Sequence, residues 1–202
     1  MLFRKTPTFS ENDLPSVIQA CVSHDSQAQR VLIEQFYGYA KTVIMPYAAH
    51  KMEAEEILND GFLKVFMKIE KYDASNSFKA WLRTILVNTA IDYYRKNKKN
   101  VFTSDISEID VPSFDEDIIS RISAEEILAL VQKLSPSCRL IFTMYVIEGY
   151  NHREIAEKLN IKEGTSKSNL SDARLKLQEL IRKNYPHLFA IYSLKNERFN
   201  EN

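Results

Sequence analysis

The chain has 202 residues, of which 45% are hydrophobic and 27% charged, and this composition is typical of a folded protein with one full domain or two small ones. Only four glycines and six prolines occur, which favours helices over turn-rich sheets. The net charge of zero does not exclude a nucleic-acid binder, because residues 101–122 hold six acids and one base while residues 1–100 hold 14 bases and 11 acids and residues 123–202 hold 12 and 10.

Signals for export, membrane insertion and disulfide bonding are missing from the sequence. The N-terminal MLFRKTPTF lacks the apolar core of a signal peptide, and no run reaches the ~18 apolar residues of a spanning helix. Cys21 and Cys138 lie far apart within apolar helical patterns. We therefore expect no disulfide framework, no direct membrane insertion and a reducing, cytoplasmic environment.

Apolar residues recur three and four positions apart over most of the first hundred residues, as they do in amphipathic helices. In the second such stretch they are Val31, Leu32, Phe36, Tyr39, Val43 and Ile44. Turn residues separate the stretches, as in the segment from Tyr72 to Ser77. The pattern predicts four helices, at about 11–23, 26–48, 52–70 and 77–97.

A second helical set follows the acidic segment. Ser135-Pro136 is typical of a helix start, and Gly149 is typical of a helix end. The pattern predicts helices at about 123–134, 136–148, 152–159 and 163–183.

These elements predict an all-α protein. We expect two small helical domains, 1–99 and 123–184, joined by an acidic linker at 100–122. A tail at 185–202 follows, which either packs on the second domain or binds a partner.

Residues 151–175 match a helix-turn-helix, with a tight turn at 160–162. On a wheel of ~100° per residue, Ser166, Leu170, Ala173 and Leu177 form the inward stripe. The same wheel places Lys167 and Arg174 on one flank, Lys176 on the other, and an outward strip between them of Gly164, Ser168, Ser171, Asp172 and Leu175. Short polar side chains can approach base edges in a major groove while flanking cations reach phosphates, although a solvated bundle helix has the same pattern.

Enzyme chemistry is not indicated. His24, His50, His152 and His187 are isolated, and no two have metal-ligand spacing with a carboxylate partner. The sequence has no glycine-rich phosphate loop or nucleophile elbow. We expect no catalytic residue, no metal and no cofactor.

The C-terminal half resembles the promoter-binding domain of sigma-70 factors, and more specifically that of the extracytoplasmic-function (ECF) group. The resemblance is carried by Leu134-Ser135-Pro136, Glu148-Gly149-Tyr150, Glu154-Ile155-Ala156, the run from Gly164 to Ser168, and Ala173-Arg174 with Lys176-Leu177. The N-terminal half independently resembles the other sigma domain, in AEEILNDGFLKVF at 54–66 and SFKAWLRTILVNTAIDYYRK at 77–96. Two motif sets in this order are more specific than either alone.

The resemblance implies a transcription initiation factor that brings RNA polymerase core to promoter DNA. The first domain would read and melt the −10 element, with the loop from Tyr72 to Ser77 capturing a flipped base. The second domain would read the −35 element. The implied −10 residues are Tyr72, Asn76, Ser77, Lys79, Arg83, Asn88, Tyr93, Arg95, Lys96 and Lys98, and the −35 residues are Thr165, Lys167, Ser168, Ser171, Asp172, Arg174 and Lys176.

Polymerase docking is the third implied role. The third helix resembles the element that binds the clamp helices of the largest polymerase subunit, the flap being a further contact, and the linker would run through the cationic RNA path. Many family members are held by an anti-sigma protein, although nothing in this sequence identifies one. The implied docking residues are Glu55, Glu56, Asn59, Asp60 and Lys64.

Several alternatives stay open at this point. A stand-alone helix-turn-helix regulator would share the second domain without binding polymerase core. Tyr93 and Tyr94 could pack or contact DNA, whereas Trp81, Leu82, Ile85 and Leu86 fit the core. The family often has Arg where this chain has Asp172, which could pair with Lys176 or accept a hydrogen bond from a cytosine amino group; we favour the pair.

Overall fold

The computed structural model describes residues 9–97 and 121–188. Within these ranges the protein contains helices and no strand, which confirms the all-α prediction. The chain divides into two compact units, Met1–Lys96 and Asn97–Asn202.

The first three helices of the first unit start at polar caps. The Asp25 carboxylate accepts the backbone N–H groups of Gln27 and Ala28 at 2.9 Å each, and His50 Nδ1 accepts that of Glu53 at 3.2 Å. Such side chains satisfy N–H groups that the first turn leaves unpaired. The helices are α1 (Leu14–Val22), α2 (Ser26–Ile44), α3 (Lys51–Lys68), which continues into a 3-10 turn (Ile69–Lys71), and α4 (Phe78–Asn97).

The core of the first unit follows the predicted apolar stripes. Leu32 on α2, Leu58 on α3 and Leu86 on α4 are almost completely buried. Helix α3 passes so close to α4 at Gly61 that an added Cβ would lie 2.6 Å from Leu86 Cδ2. The glycine thus permits the close approach of α3 to Leu86 on α4.

The second unit begins with reciprocal capping at two helices. Ser123 and Glu126 cap α5 (Ala124–Val131), and Asn151 and Glu154 cap α7 (His152–Leu159). Between them, α6 (Pro136–Phe142) continues into one π-helical turn (Thr143–Ile147), and Gly149 ends this segment at φ +77° as predicted. Helix α8 (Glu163–Asn184) packs against α5, α6 and α7.

The domain limits differ slightly from those expected. Ile122, assigned to the linker, is buried in the second unit directly before the cap of α5. Tyr185 and Leu188 open the predicted tail: the Tyr185 hydroxyl hydrogen-bonds Glu126, and Leu188 is buried. The start of the tail therefore packs on its own domain. The rest of the tail, most of the linker, and Lys98 lie outside the described residues.

Candidate nucleic-acid interface

A cleft of about 380 Å³ lies between α3, the 3-10 turn and α4. One wall is cationic and the other carries short polar side chains, with an aromatic ring at one end. The lining residues are Lys64, Lys68, Lys71, Trp81, Thr84, Ile85, Asn88, Thr89 and Asp92. A cationic wall suits phosphates, and an aromatic ring suits an unstacked base, so the cleft has the chemistry of a single-strand binding site.

One ion pair crosses the cleft. Lys64 Nζ on α3 lies 3.0 Å from Asp92 Oδ2 on α4, and the two side chains are 30% and 47% exposed. Lys64 was expected among the polymerase-docking residues, but its ammonium group points to the cleft wall and not to Glu56 or Asp60.

The loop between the 3-10 turn and α4 is ordered by its own polar groups. Asp73 accepts the backbone N–H of Ser75 at 2.9 Å and the side-chain amide of Asn76 at 3.1 Å, and the Tyr72 hydroxyl donates to the Asn76 carbonyl at 2.5 Å. The hydrogen bond from the Ser75 N–H holds the pKa of the Asp73 carboxyl below its usual range. Ser77 is exposed at the start of α4.

Aromatic packing anchors this loop to α4. The Tyr72 ring centroid lies 5.3 Å from that of Phe78 and 5.3 Å from that of Trp81. Trp81 is half-buried and reaches the cleft, whereas Leu82, Ile85 and Leu86 are core as predicted. The predicted −10 loop and the cleft are therefore neighbours: Trp81 contacts Tyr72 of the loop and also lines the cleft.

The remaining predicted −10 residues are spread along α4. Asn88 is exposed in the cleft, and Arg95 and Lys96 are exposed at the C-terminal end. Lys79 lies 5.7 Å from the Tyr39 ring centroid. Arg83 and Tyr93 are half-buried. Tyr94, which was not in the predicted −10 set and for which packing and DNA contact were both open, is buried.

Residues of α3 at spacings of three and four form an exposed face, here named the α3 face: Met52, Glu56, Asn59, Asp60, Leu63 and Met67. Its three apolar members are 80%, 59% and 74% exposed. The Glu56 carboxylate accepts a hydrogen bond from Tyr93 at 2.8 Å, and Glu55 accepts one from Tyr37, whose pKa is raised by burial and by this carboxylate. Exposed apolar residues beside acids are typical of a docking surface.

The helix-turn-helix is present as predicted. Helix α7 ends at Leu159, the left-handed backbone of Asn160 (φ 54°) makes the turn, and α8 starts at Glu163. His152 Nδ1 lies 3.0 Å from Ser166 Oγ, which joins the starts of the two helices. The inward stripe is confirmed, because Ser166, Leu170, Ala173 and Leu177 are all buried.

The outward strip of α8 is narrower than predicted. Ser168, expected to face outward, is only 4% exposed, and its hydroxyl donates to the Thr165 carbonyl at 3.2 Å. Asn169 beside it is buried, and its Oδ1 accepts a hydrogen bond from Cys138 Sγ at 3.8 Å. The reason is that α8 packs on several helices, so its buried face is wider than a single stripe. Thr165, Ser171 and Asp172 are half-buried.

The cations of α8 have local partners. Lys167 Nζ lies 3.5 Å from Glu163, and Arg174 lies 6.0 Å from the ring of Tyr145, which stacks on His152. Lys176 Nζ lies 2.7 Å from Glu179, so the favoured Asp172–Lys176 pair is wrong. Asp172 instead raises the pKa of the Cys138 thiol, after the larger effect of burial.

Sequence reasoning missed most of the cleft. Lys68, Lys71, Trp81, Thr84 and Asp92 line it, and none was among the predicted DNA-binding residues. A signal was available, because Lys64, Lys68 and Lys71 are spaced four and three apart and so share one side of a helix.

Two further features bear on the kind of site. In residues 9–97 and 121–188 no group of three or more His, Cys, Asp or Glu side chains could hold a metal ion. Among the same residues, the helices are too short or too polar to cross a membrane.

The cleft and the helix-turn-helix fall within segments that match two family models in this order: Sigma-70 region 2 over residues 32–100 and Sigma-70, region 4 over residues 124–177. The ECF RNA polymerase sigma factor SigM of Bacillus subtilis (strain 168) is 32% identical over 131 residues, which cover 63% of this chain and 78% of that protein. RNA polymerase sigma factor SigZ of the same organism is 27% identical, over 74% of this chain and 85% of that protein. A structure of the sigma factor RpoE with the anti-sigma factor NepR from Bartonella quintana is 22% identical, with a TM-score of 0.43, and covers 76% of this chain and 96% of that one.

The chain belongs to the sigma-70 family of RNA polymerase sigma factors, in the ECF group. Its function is that of a promoter-specificity factor for RNA polymerase, and a stand-alone regulator is not favoured. Sigma factors are transcription initiation factors and not known enzymes.

Proposed function

We propose that the cleft between α3 and α4 holds the opened strand of the −10 element, while α8 reads the −35 element. One observation carries this proposal: Lys64, Lys68 and Lys71 line one side of the cleft, and Asn88 and Trp81 line the other. Phosphates would lie on the lysine wall, and base edges would meet the polar wall of α4. The neighbouring loop at residues 72–77, already ordered by Asp73, would receive a flipped base at low entropic cost.

The α3 face is the proposed dock for the clamp helices of the polymerase. Burial of Met52, Leu63 and Met67 would supply apolar contact, and Asp60 would supply charge. The site of action would be the cytoplasm, where polymerase and chromosome meet. An anti-sigma protein, where one exists, would compete for the same exposed surfaces.

The roles of the α3 face and the cleft can be tested separately. Asp60→Lys should abolish co-elution with polymerase core while the circular dichroism spectrum stays native. Glu34→Lys, at an exposed position of α2, makes the same charge change and serves as the control.

Lys68→Ala with Lys71→Ala should leave core binding intact and lower the affinity of the holoenzyme for a promoter bubble. For each lost phosphate contact, the slope of log binding constant against log salt concentration (the salt slope) should fall in magnitude by about 0.7. Unchanged bubble affinity would remove the cleft from the proposal.

A further inference from the structure

Three short polar residues stand one turn apart on the α4 wall of the cleft. Thr84, Asn88 and Asp92 occupy positions i, i+4 and i+8, so they form one row. The opposite wall presents Lys64, Lys68 and Lys71. The row is neutral at its first two members and acidic at its third.

The acidic member has the opposite electrostatic effect from the rest of the cleft. A carboxylate repels phosphates and accepts hydrogen bonds only, so it opposes any strand that places its backbone against α4. Asp92 is 47% exposed, which makes it accessible to an entering strand, and it holds Lys64 at 3.0 Å. A phosphate that approaches Lys64 must therefore compete with a carboxylate already bound there.

Resting on the function proposed above, we propose that Asp92 is a specificity-determining residue that acts by excluding phosphate from the α4 wall. It lowers the affinity of the cleft for every strand, and most for strands whose backbone would lie on α4. The strand that remains bound has its phosphates on Lys68 and Lys71 and its base edges toward Thr84 and Asn88. Specificity of this kind comes from a repulsive element that penalises the wrong partner more than the right one.

The test uses holoenzyme reconstituted with the full chain and two bubble DNAs. One carries the −10 bases of a promoter selected in vitro with the wild-type holoenzyme, and the other carries the same bases scrambled. Asp92→Asn should raise affinity for the scrambled bubble about fivefold, the order expected for removal of one like charge near a phosphate, and raise it less for the promoter bubble. Discrimination between the two should fall. Glu34→Gln, an equal charge change outside the cleft, should alter neither.

A second variant separates exclusion from mere positioning of Lys64. If Asp92 acted only by holding that lysine, Lys64→Met and Asp92→Asn would change affinity in the same direction. We expect opposite signs, with Lys64→Met weakening both bubbles. The inference would be overturned if Asp92→Asn binds both bubbles more weakly, or if it binds both more tightly by the same factor.

If the cleft does not bind the DNA strand at all, the variants should give a different set of results. If Lys68→Ala with Lys71→Ala leaves bubble affinity unchanged, the strand does not lie in the cleft, and both proposals fall. If that double variant weakens binding while Asp92→Asn changes nothing, only the role of Asp92 is contradicted.

Discussion

Tyr93 on α4 donates a hydrogen bond to Glu56 on α3, with 2.8 Å between the hydroxyl and carboxylate oxygens. Glu56 belongs to the α3 face, and α4 forms one wall of the cleft. The bond thus connects the proposed polymerase dock to the helix proposed to contact DNA. Asp60 has no hydrogen bond or ion pair to α4 among the residues that the structure describes, so it is the cleaner position for a docking variant.

Tyr93→Phe should remove this bond and keep the ring packing. We expect the free energy of unfolding to fall by about 0.5–1 kcal/mol, the lower part of the usual range because Glu56 is exposed. Urea denaturation measures the change. Tyr39→Phe is a matched control, since its hydroxyl lies 3.3 Å from the Lys79 carbonyl, and it should cost less. An equal cost for the two variants would contradict the structural importance of the Tyr93 bond.

Two helical glycines should respond to alanine with opposite signs. At Gly61 the added methyl group would meet Leu86 at 2.6 Å, and overpacking in a core costs about 1–3 kcal/mol. At Gly38 nothing lies within 4 Å, so Gly38→Ala should stabilise α2 by up to about 1 kcal/mol. Thermal unfolding of both variants decides this, and a stabilised Gly61→Ala would show that α3 and α4 are not closely packed.

The helix elements were predictable from sequence, but the width of a buried face was not. The wheel placed Ser166, Leu170, Ala173 and Leu177 correctly because apolar periodicity marks the centre of a buried stripe. It misplaced Ser168 because the breadth of the stripe depends on how many helices pack against α8, and that is a tertiary property.

The cleft was hidden from sequence reasoning for a related reason. Lys64 was grouped with Glu56 and Asp60 by spacing along α3, yet its partner Asp92 is 28 residues away on another helix. The π-helical turn at 143–147 was likewise read as plain helix, since no composition signal separates the two. Contacts across helices decide such details.

Lys167 on α8 should contribute to DNA affinity without contributing to base preference. Its partner Glu163 is 3.5 Å away and both are partly exposed, so the pair is weak and a phosphate can replace the carboxylate. Lys167→Ala should lower affinity for all −35 sequences alike and reduce the salt slope by about 0.9. Lys183→Ala, in the last turn of α8, is the control and should leave the slope unchanged. A loss confined to one base pair would mean that Lys167 reads sequence.

Cys21 predicts a loss of stability in alkali. Burial raises the pKa of this thiol to about 11, and the charge of Asp25 adds to the rise. Because the unfolded chain loses the thiol proton near pH ~8.5, the stabilisation is complete below that pH and is lost as pH rises toward 11. Wild type should therefore lose more stability than Cys21→Ala between pH 8.5 and ~10.5 in urea denaturation. If the stabilities of wild type and Cys21→Ala change equally with pH, the pKa of Cys21 is the same in the folded and the unfolded chain.

Transcription with purified RNA polymerase core on fragmented genomic DNA tests whether the chain directs the polymerase to specific promoters. Core alone should give only nonspecific transcripts. Addition of the chain should produce discrete transcripts whose start points share one −35 and one −10 sequence, and Lys68→Ala with Lys71→Ala should reduce these transcripts while still binding core. An absence of discrete start points, from a chain that co-elutes with core and has a native circular dichroism spectrum, would contradict a role in promoter selection through the cleft and α8.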